Sequence, residues 1–151
     1  MRDGSYPIRV VTTANAETLD VLGAPMVVKA DGIGIPLFLA EHTVPPGFFV
    51  PLHVHDQEDE LFYVLRGEII LLTEAGEVTA GQGSCIHLPR GSKHGYRNDS
   101  DSEASFLVIC QPGASMLELF RQFDRTVRQT GVPLTPPALV AICAQNGVAI
   151  G

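Results

Sequence analysis

A chain of 151 residues is one domain's worth, 1–151, and can bury a hydrophobic core without disulfide staples. Its formal charge of −7, with Lys plus Arg totalling 10, offers no clustered cations for a phosphate backbone and excludes nucleic acid as an expected partner. Only 18% of residues are charged against 45% hydrophobic, so part of the apolar surface is expected to hide against a second subunit, and a homodimer is the expectation.

From Met1 to Tyr6 no apolar run could serve as a signal, and no later stretch approaches a membrane span. A cytoplasmic protein with no membrane partner is expected. Eleven prolines and fifteen glycines punctuate the chain, and up to Gly113 they leave only short segments, the rhythm of an all-β sandwich or barrel. Strands are predicted at 8–12, 25–30, 35–43, 47–55, 60–65, 68–73, 77–79, 84–88, 94–97 and 104–110. Turn residues separate them, among them Asp31-Gly32, Pro45-Pro46-Gly47, Gly67 and Gly81-Gln82-Gly83. Leu61 to Leu65, Ile69 to Leu72 and Phe106 to Ile109 do not alternate, which predicts strands covered on both faces.

Beyond Gly113 the period changes. Met116, Phe120, Phe123 and Val127 recur at helical spacing, with Glu118, Arg121, Gln122, Asp124 and Arg125 on the opposite side. Ser115 with Glu118 three residues later predicts a capping box, and Gly131 a stop. A second helix is predicted from Thr135-Pro136-Pro137 to a point before Gly147. The barrel thus spans about 25–112 and the helical tail about 114–146, docked on the barrel or lying as a lid over its mouth. Cys85, Cys110 and Cys143 stand apart among apolar neighbours and are expected to be buried, reduced thiols.

Two blocks carry the chemistry. Gly47 is followed by His53-Val54-His55, then Glu60 and Gly67. Histidines at i and i+2 of a strand point to one face, so both imidazoles can reach one ion. Asp56-Gln57-Glu58-Asp59 then reverses the chain, with Glu58 and Asp59 expected as plain turn charges, and Glu60 opens the next strand on the face of Phe62 and Val64. The second block is Gly83, Pro89-Arg90-Gly91, His94 and Asn98. Pro89 and Gly91 shape a turn that swings His94 back toward the first block. Three imidazole nitrogens and one carboxylate make a shell for a borderline divalent metal.

These two blocks resemble the two sequence motifs of the cupin superfamily, one copy of each, as in a monocupin. The resemblance implies an all-β, cupin-type jelly-roll β-barrel with a C-terminal helical tail, and His53, His55, Glu60 and His94 as metal ligands. Ser84 departs from the acidic residue often found after the glycine of the second block, which touches a turn and leaves the ligands alone. The expected cofactor is one divalent ion among Fe, Mn, Ni, Co, Cu and Zn.

Glu60 is the expected catalytic base, because a carboxylate that can leave the metal can accept a substrate hydroxyl proton. Phe62, His87 and Tyr96 are candidate pocket residues, with Lys29 and Glu41 as further polar candidates from strand position, while His42 is expected to be an ordinary core histidine. The partner is a small-molecule substrate. The chain is similar to small quercetin-dioxygenase-like monocupins, including Gln111-Pro112-Gly113 leading into a helix, and an oxygenase acting on a small apolar or phenolic molecule is the leading expectation. A redox-neutral isomerase, lyase or polyketide-type cyclase, or a non-catalytic small-molecule-binding cupin, are the alternatives. Nothing before the barrel resembles a DNA-binding helix pair.

Overall fold

A computed structural model of the chain describes residues 6–151; of the stretch scanned for a signal, the first five residues lie outside those described. Eleven strands and two helices follow in order among the described residues. They are β1 (Thr18–Val21), β2 (Ala24–Asp31), β3 (Phe38–Val44), β4 (Phe49–His55), β5 (Asp59–Arg66), β6 (Glu68–Thr73), β7 (Gly76–Gly81), β8 (Cys85–Leu88), β9 (Lys93–Arg97), β10 (Ala104–Gln111), α1 (Ala114–Thr130), α2 (Pro136–Gln145) and β11 (Val148–Ile150). The strands form two antiparallel sheets packed face to face, a jelly roll with a helical tail. One sheet has the order β1-β2-β3-β10-β5-β8 and the other β11-β4-β9-β6-β7.

Strand parity decides what each sheet buries. On β3, Phe38, Ala40, His42 and Val44 turn inward, and on β5 Glu60, Phe62 and Val64 do the same. Between the sheets the rings of Phe62, Tyr96 and Phe106 interlock, with centroids 4.9 Å apart for Phe62–Phe106 and 5.5 Å for Tyr96–Phe106. His42 joins this aromatic core 5.6 Å from Phe106, its Nδ1–H donating to the Pro25 carbonyl at 3.1 Å.

The two motif blocks also hold each other. The Gly47 amide donates to the Asn98 carbonyl at 2.8 Å, and the Asn98 amide donates back to Phe48 at 2.9 Å. The buried Asn98 side chain then donates to the carbonyls of Val44 and Ser102, closing the polar loop after β9. Gly91, in the left-handed region at φ 80°, donates its amide to the His55 carbonyl at 2.9 Å, so the turn before His94 is tied to the strand that carries the other histidines.

Several sequence expectations are corrected. Residues 8–12 form no strand: Ile8 and Val10 are exposed and no ladder reaches them, so their β-branched composition is overridden by the lack of a pairing edge. The ladder starts instead at β1, joined to β2 by a two-residue turn in which Leu22 (φ 57°) and Gly23 (φ 88°) are both left-handed. The Asp20 carboxylate accepts from the Gly23 amide and steadies that turn. The sheets therefore extend past the expected 25–112 at both ends, to β1 and to β11.

On α1, Gly131 ends the helix at φ 70° as expected, but the N-cap is Gly113 rather than Ser115. Ser115 lies inside the first turn with its hydroxyl turned to Glu58, so no capping box forms. Asp124, placed by sequence on the wet side, is buried and accepts from the Asp20 amide and from Arg128. Cys110 and Cys143 are buried, whereas Cys85 is exposed because β8 is an edge strand whose odd positions face outward. Thr135 caps α2 as the Thr-Pro-Pro run predicts. Among the described residues no helix is long and apolar enough to cross a membrane.

His42 gives a prediction. Burial pulls its pKa down to about 4, against the bond to Pro25, which raises it. The unfolded chain, near the ordinary value of about 6.5, takes the proton first as pH falls. Stability is therefore lost between about pH 6.5 and 4, by about 3 kcal/mol at the acid end. In His42→Met the drop in urea-derived stability between pH 7 and pH 4 is expected to shrink by about that amount. Equal acid sensitivity in both proteins would exclude His42 as the cause.

Candidate metal centre

β4 presents His53 and His55 on its inner face, and β9 lies beside it with His94 directly opposite His53. All three are buried, and one ring nitrogen from each lies within 4.8 Å of the others. The pairing of β4 with β9 slips between Val50 and His53, where Pro51 has no N–H to give the ladder. Gly95 fits into that irregularity: a Cβ there would stand 2.6 Å from the Val50 carbonyl oxygen and 2.9 Å from that of Pro51. Gly95→Ala is expected to push β9 off β4 and lower stability by about 1–3 kcal/mol, measured as a fall in the urea midpoint. An unchanged midpoint would mean the two strands can separate freely.

The protonation pattern follows from the neighbours. His53 Nδ1 lies 2.8 Å from the Pro51 carbonyl and His94 Nδ1 3.2 Å from the Ser92 carbonyl. A carbonyl only accepts, so both Nδ1 atoms carry the hydrogen and both Nε2 atoms are left with a lone pair. His55 Nδ1 faces the Glu58 carboxylate at 3.6 Å, which sets the same tautomer. The consequence is three lone pairs aimed together: His53 Nε2 and His55 Nε2 are 3.1 Å apart, and His94 Nε2 is buried without a partner. Two acceptors at that separation repel unless a proton or a cation lies between them. Burial lowers the pKa of His53 to about 4 and that of His94 to about 3, the latter with further repulsion from its two neighbours, so both rings stay neutral at ordinary pH. Against burial, which lowers it, Glu58 and Glu60 raise the His55 pKa, so His53 and His94 are the two neutral imidazoles that suit a divalent ion.

Glu60 stands beside this group at the start of β5. Its Oε2 is 3.4 Å from His55 Nε2 and its Oε1 3.9 Å from His94 Nε2, and the buried Cys110 thiol donates to Oε2 at 3.7 Å. Burial raises the Glu60 pKa against the attraction of His55. The carboxyl group thus stands within 4 Å of the Nε2 atoms of His55 and His94.

The centre opens into a cavity between the sheets and the tail helices. His53, His55 and Glu60 line it together with Phe62 and Tyr96. The far wall is apolar and comes from the tail: Met116, Leu119, Phe120 and Phe123 of α1, and Leu139 and Cys143 of α2. The helices are therefore docked on the sheets and at the same time wall the cavity.

His87 does not reach it. β8 pairs with β5 so that His87 lies opposite Leu61 and Cys85 opposite Tyr63, all on the outer face, while Ile86 and Leu88 turn inward. Lys29 and Glu41 also stand outside the cavity; the Lys29 ammonium donates to the Thr13 hydroxyl. One polar residue was missed by sequence reasoning. Glu58 is wholly buried while Asp56, Gln57 and Asp59 of the same turn are exposed, and Asp59 pairs with Arg90 at 2.9 Å as a plain surface charge.

Residues 40–110, which contain both histidine blocks and the strands that bring them together, match the cupin domain family. This stretch, just under half of the chain, is a cupin domain. This cupin is 31% identical over 83 residues to the quercetin 2,3-dioxygenase of Bacillus subtilis, a match covering 55% of this chain and 23% of that protein. It is 30% identical over 70 residues to the oxalate-binding protein of Thermotoga maritima, covering 46% of this chain and 58% of the other. The cupin therefore spans less than two thirds of either relative. Among solved structures it is similar to the polyketide cyclase RemF from Streptomyces resistomycificus, with TM-score 0.61, 25% identity, and 70% and 80% of the two chains covered.

Proposed function

We propose that this cupin is a metal-dependent oxygenase acting on a small, largely apolar or phenolic molecule, with His53, His55, His94 and Glu60 holding one divalent ion of redox-active type. The observation that carries the reading is a group of three buried histidines, with the Glu60 carboxylate beside two of them, next to an otherwise apolar cavity wall that His53, His55 and Glu60 line. A bound ion would supply Lewis acidity and a template for a chelating substrate. The protein's own part is positioning and proton transfer. Phe62 and the α1 side chains exclude water from an apolar guest, Glu60 is placed to accept a proton from its hydroxyl group, and the buried Tyr96 phenol, its pKa raised by burial and by Glu60, stays protonated as a donor. Among the described residues no Lys or Arg lines the cavity, so a small dianion would find no cation from them beyond the metal, which counts against an oxalate-like ligand.

The likeness to RemF at 25% identity supports a second reading, a redox-neutral cyclase or isomerase using the same residues. Oxygen uptake by the metal-loaded protein, measured with a panel of flavonols and simpler phenols, separates the two. An oxygenase consumes dioxygen in step with substrate loss and fails with zinc. Turnover of the same compounds without oxygen and with zinc would replace it by the second reading, and retention of a compound unchanged would leave a binding protein.

The same proposal includes a homodimer, built on the apolar outer face where Tyr63 and Leu65 are exposed beside the half-buried Leu61, Leu107 and Ile109. Sedimentation showing a monomer at every concentration would remove it.

A further inference from the structure

We propose that Glu58 and Ser115 form a positioning relay that ties the ligand His55 to helix α1, so that metal binding and docking of the tail over the cavity strengthen each other. The inference rests on the reading of His53, His55 and His94 as metal ligands and extends it to two residues that are not among the motifs' signature positions.

Glu58 sits in the turn between β4 and β5, with 0% of its surface exposed. A carboxylate is not taken out of water without partners. One oxygen, Oε1, accepts from the Ser115 hydroxyl in the first turn of α1. The other, Oε2, lacks a hydrogen bond, and so does His55 Nδ1; the two face each other 3.6 Å apart. A movement of a few tenths of an ångström closes that gap into a charge-assisted N–H···O bond. A carboxylate on the remote nitrogen of a ligating histidine fixes its tautomer, orients the ring and makes the ligating nitrogen more basic.

His55 differs from its two companions in this respect. His53 and His94 are oriented by backbone carbonyls two residues away on their own chain segments. His55 depends on a side chain, and that side chain depends on a hydroxyl from an element 57 residues further along. The same helix supplies Met116, Leu119 and Phe123 to the cavity wall. When α1 is docked, Ser115 holds Glu58 against His55; when α1 lifts, Glu58 loses its donor and His55 its brace. Coupling of this kind is reciprocal, so whatever docking does for metal affinity, the metal does for docking.

The test uses the full-length protein with Co²⁺ as the probe, whose visible d–d bands report ligand geometry. Affinity is measured by competition with a chelator, and docking by hydrogen exchange of the α1 amides with and without Co²⁺. Glu58→Gln keeps the shape and removes the charge; it is expected to bind Co²⁺ about 10–100-fold more weakly, with shifted bands. Ser115→Ala is expected to weaken binding severalfold and to abolish the protection that Co²⁺ confers on α1, while Ser115→Thr restores both. Should Glu58→Gln fail to fold, the two Ser115 variants carry the comparison. Co²⁺ affinity, spectrum and α1 protection equal to wild type in the variants would overturn the relay and leave the metal centre standing. A wild-type protein that takes up no Co²⁺ would remove the metal reading and the relay together.

Discussion

Replacing either His53 or His94 with alanine is expected to lower divalent-metal affinity by roughly a hundredfold or more, and metal content after purification accordingly. Each substitution deletes one of three lone pairs that the fold has already aimed at a common point, and the two that remain cannot close a shell around the ion. Neither residue is needed for the aromatic core, so the apo variants should stay folded. Elemental analysis per chain, with chelator competition, measures the effect. A parallel thermal scan should show that metal at about a hundred times its dissociation constant stabilises the wild type by about 2.7 kcal/mol and the variants far less. Full metal occupancy in both variants would falsify the ligand assignment.

Phe106→Ala is expected to cost about 3–5 kcal/mol of folding stability, read from the urea midpoint at constant slope. Phe106 is wholly buried on β10 and meets Phe62, Tyr96 and His42 at once, so its removal opens a void that three rings border and none can fill by a rotamer change alone. Phe62 and Tyr96 are also cavity wall, and the loss should loosen the cavity along with the core. Phe106→Leu should recover a large part of the stability. A cost below about 1 kcal/mol would mean the two sheets do not pack through this ring.

Much of this molecule was legible in the chain because strand parity is a strict rule. Two histidines two residues apart on β4 share a face whatever the rest of the fold does, and the glycines flanking each block sit where the backbone turns left-handed, as at Gly47, Gly67, Gly83 and Gly91. Parity fails where it must also choose a side. His87, a candidate pocket residue that shares parity with Cys85, lies on the outer face, because the pairing of β8 with β5 turns Ile86 and Leu88 inward. The short β1 escaped because its turn places Leu22, an unfavourable residue, at positive φ. Glu58 escaped for another reason: its burial depends on Ser115 from α1, and no local pattern distinguishes it from the exposed acids on either side.

The final strand pairs with the ligand strand itself, Val148 opposite His55 and Ile150 opposite His53, and the Asp56 amide donates to the Gly147 carbonyl. The edge of the histidine-bearing ribbon is thus sealed by residues almost a hundred positions downstream. During synthesis the imidazoles emerge long before that seam exists, so an ion captured early meets a half-built, wet and poorly aligned set of donors. Only when the last strand pairs with β4 does the candidate site acquire its final shape, through one of the longest-range closures in the fold.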